Sequence, residues 1–117
     1  MTNAKNWRVG NAQTDGADRR GWFVGHFIDP EDIRMSKDVE IKWGAHQAGE
    51  ERPGWQTDEY RTTVLLLISG RFRINLSVDS YILQDEGDYA IWGPGIDHSW
   101  KAEQDSVVVT IRWPSLQ

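Results

Sequence analysis

Along most of this chain hydrophobic and polar residues alternate with a period of two, the pattern of strands that bury one face. Val39, Ile41 and Trp43 fall on one side of a segment whose other side carries Glu40 and Lys42. Arg61 to Ile68 is β-branched and leucine-rich and stops at Ser69-Gly70; Arg71 to Val78 alternates again through Phe72, Ile74, Leu76 and Val78. Asp79-Ser80 reads as a hairpin turn into Tyr81-Ile82-Leu83, and Asp85-Glu86-Gly87 as the turn before a strand from Asp88 to Trp92. Gly93-Pro94-Gly95 breaks the chain sharply, and Val107 to Trp113 is a last strand stopped by Pro114. Upstream, Trp22 to Ile28 is an apolar strand candidate. The only helix signal is Asp29-Pro30-Glu31-Asp32, with an Asp cap and a Pro at the first helical position. Seven to nine short strands at intervals of about ten residues predict an all-β sandwich or barrel.

Length and composition set the outer bounds. A chain of 117 residues is one domain by default, since halves of it would be too small to hold a core. Residues 1–21 are rich in Asn, Asp, Gly and Arg and read as a loose arm docked at Trp7, ahead of a single domain over 22–117. No cysteine occurs, which removes disulfides, thiolate metal sites and a cysteine nucleophile. Eighteen acids against thirteen Lys and Arg leave a net charge of −5, without a basic run, so nucleic acid is not an expected partner. The longest apolar run, Val64 to Ile68, is far too short for a membrane span, and the first thirty residues lack a secretory layout. No membrane partner is expected, and a cytoplasmic location is.

Gly87-Asp88-Tyr89-Ala90-Ile91-Trp92-Gly93-Pro94-Gly95-Ile96-Asp97-His98 resembles the second motif of the cupin superfamily: Gly, five residues, Pro, one residue, Gly, two residues, His. Gly87, Gly95 and His98 fall in register; Gly93 takes the Pro position, and Pro94 comes one place late. Val64 to Arg71 looks like the strand that closes the first cupin motif at its Gly, here Gly70. The short hairpin between the motifs is similar to that of small, single-domain, RmlC-like bacterial cupins. The resemblance covers residues 39–113 and implies a double-stranded β-helix, or jelly-roll barrel, with a ligand in its cavity and a homodimer as the assembly.

The first motif is degenerate. The family pattern is His, one residue, His, three or four residues, Glu, six residues, Gly. Counting back from Gly70 places Thr63 at the Glu position and either Gln56 and Asp58 or Thr57 and Glu59 at the His positions. Of the three-His, one-Glu metal set only His98 survives, and Arg61, two residues from Thr63, adds a cation that favours an anionic ligand over a dication.

The first reading is therefore a small-molecule-binding domain without the usual metal site. Gln56, Asp58, Arg61, Thr63, Trp92 and Trp100 are its candidate ligand contacts, and His98 is the candidate proton carrier. The alternative is a metal-dependent dioxygenase or isomerase holding Fe, Mn, Ni or Zn through His98, His46 and Asp58 or Glu59. His98 is also readable as an ordinary core histidine, and His46 as a loop histidine. Whether the chain is an enzyme stays open between these readings. Of seven tryptophans, Trp100 shares strand parity with His98, Trp55 and Trp92 are further candidates for the cavity wall, and Trp7 and Trp113 are expected as core filler.

Overall fold

The computed structural model describes residues 6–116. Eight strands run β1 Trp22–Val24, β2 Glu40–His46, β3 Thr62–Ser69, β4 Phe72–Leu76, β5 Ser80–Leu83, β6 Tyr89–Trp92, β7 His98–Ala102 and β8 Ser106–Trp113. They form a five-stranded sheet in the order β1-β2-β8-β3-β6 and a three-stranded sheet in the order β5-β4-β7. All named pairs are antiparallel. Leu65, Leu67, Phe72, Ile74, Leu83, Trp92, Ala102 and Val108, drawn from both sheets, make one buried cluster between them. This is the jelly-roll barrel, or double-stranded β-helix, that the motif resemblance implies.

Burial along β3 alternates strictly, with Thr63, Leu65 and Leu67 inside and their neighbours facing outward. Strand β2 inverts the simple amphipathic rule. Its charged side faces the interior: Glu40 is 1% exposed and Gly44 is buried, while Lys42 and His46 share their parity. Ile41 and Trp43 lie on the outer face of the sheet, opposite Ile111 and Val109 of β8. An inward run of charge is tolerable only with partners, and Glu40 has three of them, Arg61, Arg112 and Ser115.

The β3–β4 turn depends on Gly70, whose φ of +98° and contact with the Asp105 carbonyl leave no room for a side chain. On the far edge of the smaller sheet, the segment after β2 runs alongside β7. Arg52 N–H donates to the Trp100 carbonyl, and Gln56 exchanges backbone hydrogen bonds with His98 at 2.7 and 3.1 Å. That pairing fixes Arg52 and Gln56 at the barrel mouth.

Helix placement differs from the sequence expectation. Asp29 Oδ1 accepts from the Glu31 N–H and the Asp29 carbonyl from the Asp32 N–H, which closes a turn and not a helix. The helical turns lie instead at Ala12–Asp15, capped by Asn11 Oδ1 on the Thr14 N–H, and at Ala17–Arg19. Both sit within residues 6–20, part of the segment read as a loose arm, and the first packs on β1 and β2. Residues 1–5 of that arm lie outside the described residues.

Candidate functional site

A cavity of about 210 Å³ opens between the two sheets. Strand parity explains its wall. Thr63 and Leu65 of β3, Val108, Thr110 and Arg112 of β8, and Lys42 and His46 of β2 come from the larger sheet. Phe72 and Ile74 of β4 lie beside His98 and Trp100 of β7 in the smaller sheet, and Trp92 of β6 closes one side. Arg20, Trp22, Arg52 and Gln56 complete the rim. The space exceeds the roughly 150 Å³ of an apolar protein cavity that admits benzene, so a compact organic molecule fits.

Five of the ligand and proton-carrier candidates, Gln56, Thr63, Trp92, His98 and Trp100, lie on this wall, as does His46. Asp58 does not: it is exposed in the loop before β3, with φ of +58°. Glu59 and Arg61 are also absent from the wall. Arg61 Nε and Nη2 donate to Glu59 at 2.7 and 3.0 Å, and Arg61 Nη1 donates to Glu40 at 3.0 Å, so its charge is spent within the barrel wall. Three tryptophans were misplaced by the sequence reading. Trp55 is 51% exposed and not a wall residue, and Trp7 and Trp113 are exposed and not core. Trp22, in contrast, joins the wall.

The cations that face the cavity are ones the sequence pattern does not single out. Arg112 Nε donates to Glu40 Oε2 at 2.8 Å, with Nη2 on the same oxygen, and its guanidinium lies 4.2 Å from the Trp22 ring centroid. Glu40 and Glu59 thus offset Arg61 and Arg112. Nothing equivalent reaches Arg20, Lys42 or Arg52. Arg52 donates only to the Gly54 carbonyl and to Gln56 Oε1, and Arg20 and Lys42 form no ion pair or hydrogen bond among the described residues. Among the described residues no Asp or Glu lies on the cavity wall. No signal along the chain points to Lys42 or Arg112, because the more apolar faces of β2 and β8, through Ile41 and Trp43 and through Val109 and Ile111, are the opposite ones.

Burial sets the protonation states. Desolvation lowers the Lys42 pKa, and the charges of Arg112 and Arg20 lower it further. Burial, then Arg52 and Arg112, push His98 down to about 4, so it is neutral at pH 7. Burial alone would raise Glu59, but the hydrogen bonds and charge of Arg61 outweigh it and hold the carboxyl below its usual range.

Three buried polar atoms on this wall, Thr63 Oγ1, Trp92 Nε1 and His98 Nδ1, have no hydrogen-bond partner. Thr63 and Trp92 are register partners across β3 and β6, and the Trp92 and His98 rings lie 4.8 Å apart, so the three gather at one end. Buried donors and acceptors are nearly always paired, so these three stand out as unmet hydrogen-bonding groups on the wall. Beside His98 on β7, Trp100 belongs to an aromatic stack, 5.2 Å from Phe72 and 4.4 Å from His46. His46 Nδ1 is 2.8 Å from Glu50 Oε2. No cluster of three His, Asp or Glu side chains converges among the described residues.

Comparisons with known proteins fit this architecture. The chain is similar to the structure of KdgF from Halomonas sp., with 20% identity over 68% of this chain and 72% of that one, TM-score 0.61. It is similar to an RmlC-like cupin from Shewanella frigidimarina, with 16% identity over 69% and 70% of the two chains, TM-score 0.62. A protein with a double-stranded β-helix domain from Klebsiella pneumoniae matches at 19% identity over 68% and 66%, TM-score 0.60. No family model and no curated protein sequence matches. The chain has the cupin fold, a double-stranded β-helix. At these identities the likeness is one of fold, and the wall residues above carry the functional argument.

Proposed function

We propose that this protein binds a small, negatively charged organic molecule in the barrel cavity, without a metal ion. The observation that carries the reading is the wall itself: Arg20, Lys42 and Arg52 face the space with no carboxylate partner among the described residues, and no acid lines it. A carboxylate or phosphate placed there gains charge-assisted hydrogen bonds of about 1.5–3 kcal/mol each in a setting of reduced dielectric. Thr63 Oγ1, Trp92 Nε1 and neutral His98 supply directional bonds at one end, and Trp100 and Phe72 supply a flat apolar face.

The donors at the family's metal positions do not suit a dication. Gln56 Oε1 already accepts from Arg52, Thr63 is a neutral hydroxyl, Asp58 points elsewhere, and two guanidinium charges bear on the one imidazole. With its pKa near 4, His98 acts at pH 7 as a neutral hydrogen-bonding group and not as a proton carrier.

Tryptophan fluorescence and calorimetry against matched pairs (acetate and acetamide, benzoate and benzamide) test the reading. Carboxylates are expected to quench and bind, with affinity falling as salt rises, and the amides are not. Arg52→Gln is expected to weaken binding by roughly 10-fold to 150-fold, the equivalent of one charged contact. Equal affinity for acid and amide would remove the proposal.

A further inference from the structure

Lys42 stands apart from the other cavity cations, because it is also a nucleophile when it loses its proton. It projects from β2 into the cavity, opposite Thr110 of β8 and Trp22 of β1, with Nζ 5.7 Å from the Trp22 ring centroid. The carboxylate nearest in parity, Glu40, is engaged by Arg112, Arg61 and Ser115. The charged groups that bear on the amine from neighbouring elements are Arg112 on β8 and Arg20 ahead of β1, both positive. A half-buried ammonium in that company has two ways to lower its energy: take up an anion, or release its proton and become a free amine. A free amine beside two guanidiniums, within a cavity of organic size, is the arrangement of an imine-forming lysine.

We infer that Lys42 captures the carbonyl carbon of a small carboxylate bearing an aldehyde or ketone, the 2-oxo acids being the compact case, as a reversible imine. The inference rests on the anion-binding reading, since Arg20, whose charge no acid offsets, is to hold the carboxylate while the amine meets the neighbouring carbonyl. The nitrogen lone pair forms the C–N bond as the C=O π bond breaks onto oxygen. Both amine hydrogens then leave with that oxygen as water, and a C=N bond remains. No redox partner is consumed. The depressed pKa of Lys42 places more of the reactive amine at neutral pH than an exposed lysine offers.

Reductive trapping reads this directly. The protein is treated at pH 7 with pyruvate or glyoxylate and borohydride, and intact mass and peptide mapping locate the secondary amine. The expected result is one adduct, on Lys42, with exposed Lys37 and Lys101 largely unlabelled. Propionate, which has the carboxylate but no carbonyl, is expected to protect Lys42 in the unmodified protein, so the test does not depend on a variant. Lys42→Met and Lys42→Arg are expected to abolish the adduct while retaining the native far-ultraviolet spectrum. Propionate binding without any Lys42 adduct overturns the imine and leaves anion binding standing; no binding of propionate overturns both. Labelling of Lys42 by neutral acetaldehyde as readily as by pyruvate overturns the role given to Arg20.

Discussion

Replacing Glu40 by Gln tests the electrostatic design of the barrel. Glu40 is 1% exposed and accepts from Arg61 Nη1 at 3.0 Å, Arg112 Nε at 2.8 Å and Ser115 Oγ at 2.9 Å. The amide keeps the volume but loses the charge, and cannot accept from both guanidiniums as strongly. Two weakened charged bonds at about 1.5–3 kcal/mol each bracket the effect. The independent figure for removing one partner of a buried ion network is about 3–5 kcal/mol. The Arg61 and Arg112 side chains are 17% and 20% exposed, so they recover some hydration, which places the expected loss near the lower end, about 3 kcal/mol. For a domain of this size that lowers Tm by roughly 12 °C. Urea unfolding followed by tryptophan fluorescence should show the midpoint fall with an unchanged m value. The same substitution leaves one more uncompensated positive charge beside the cavity, so carboxylate affinity should rise as stability falls. A loss under about 1 kcal/mol, or an unchanged affinity for benzoate, would refute the argument that these acids offset the wall cations.

Thr63→Val exchanges a buried, unpartnered hydroxyl for a methyl of similar size, and should raise stability by about 1 kcal/mol in urea melts while weakening ligand binding. His98 has its folded pKa depressed from 6.5 to about 4, so the unfolded chain takes up a proton that the folded one refuses. Stability should therefore drop as pH falls from about 6.5 towards 4, and the drop should be smaller in His98→Gln; parallel curves for the two proteins would contradict this. A homodimer is expected at the open β6 edge, where Tyr89 and Ile91 are 63% and 52% exposed. Sedimentation should show Ile91→Lys shifted to monomer, and a monomeric parent chain would end that expectation.

The fold was legible because most strands obey period two and glycines mark the turns; Gly70 and Gly87 sit at positive φ where the motif demanded them. Thr63, Trp92, His98 and Trp100 could be placed on one wall for the same reason. What stayed hidden was sidedness. In β2 the apolar residues Ile41 and Trp43 look like the core face, yet Glu40 and Lys42 point inward, because partners for Glu40 arrive from Arg61 and Arg112, far along the chain. No local pattern reports a compensation made across strands. Arg61 was misjudged by the same route: two residues from the cavity in sequence, it is turned towards Glu59 and Glu40. The helical turns at 12–15 and 17–19 were missed because their stretch is too short and polar for periodicity to speak.

The barrel also divides its labour along its length. Leu67, Leu83 and Ala102 are sealed away from the cavity at 0–5% exposure, whereas Arg20, Lys42, Arg52 and Gln56 border open space. Exchanges among the bordering residues reach solvent-facing side chains and not the sealed core, and on the expectation for Thr63→Val the native residue works against stability. Such a scaffold can trade one guest for another in single steps without first becoming sturdier, so the chemistry of its cavity is free to diverge faster than its shape.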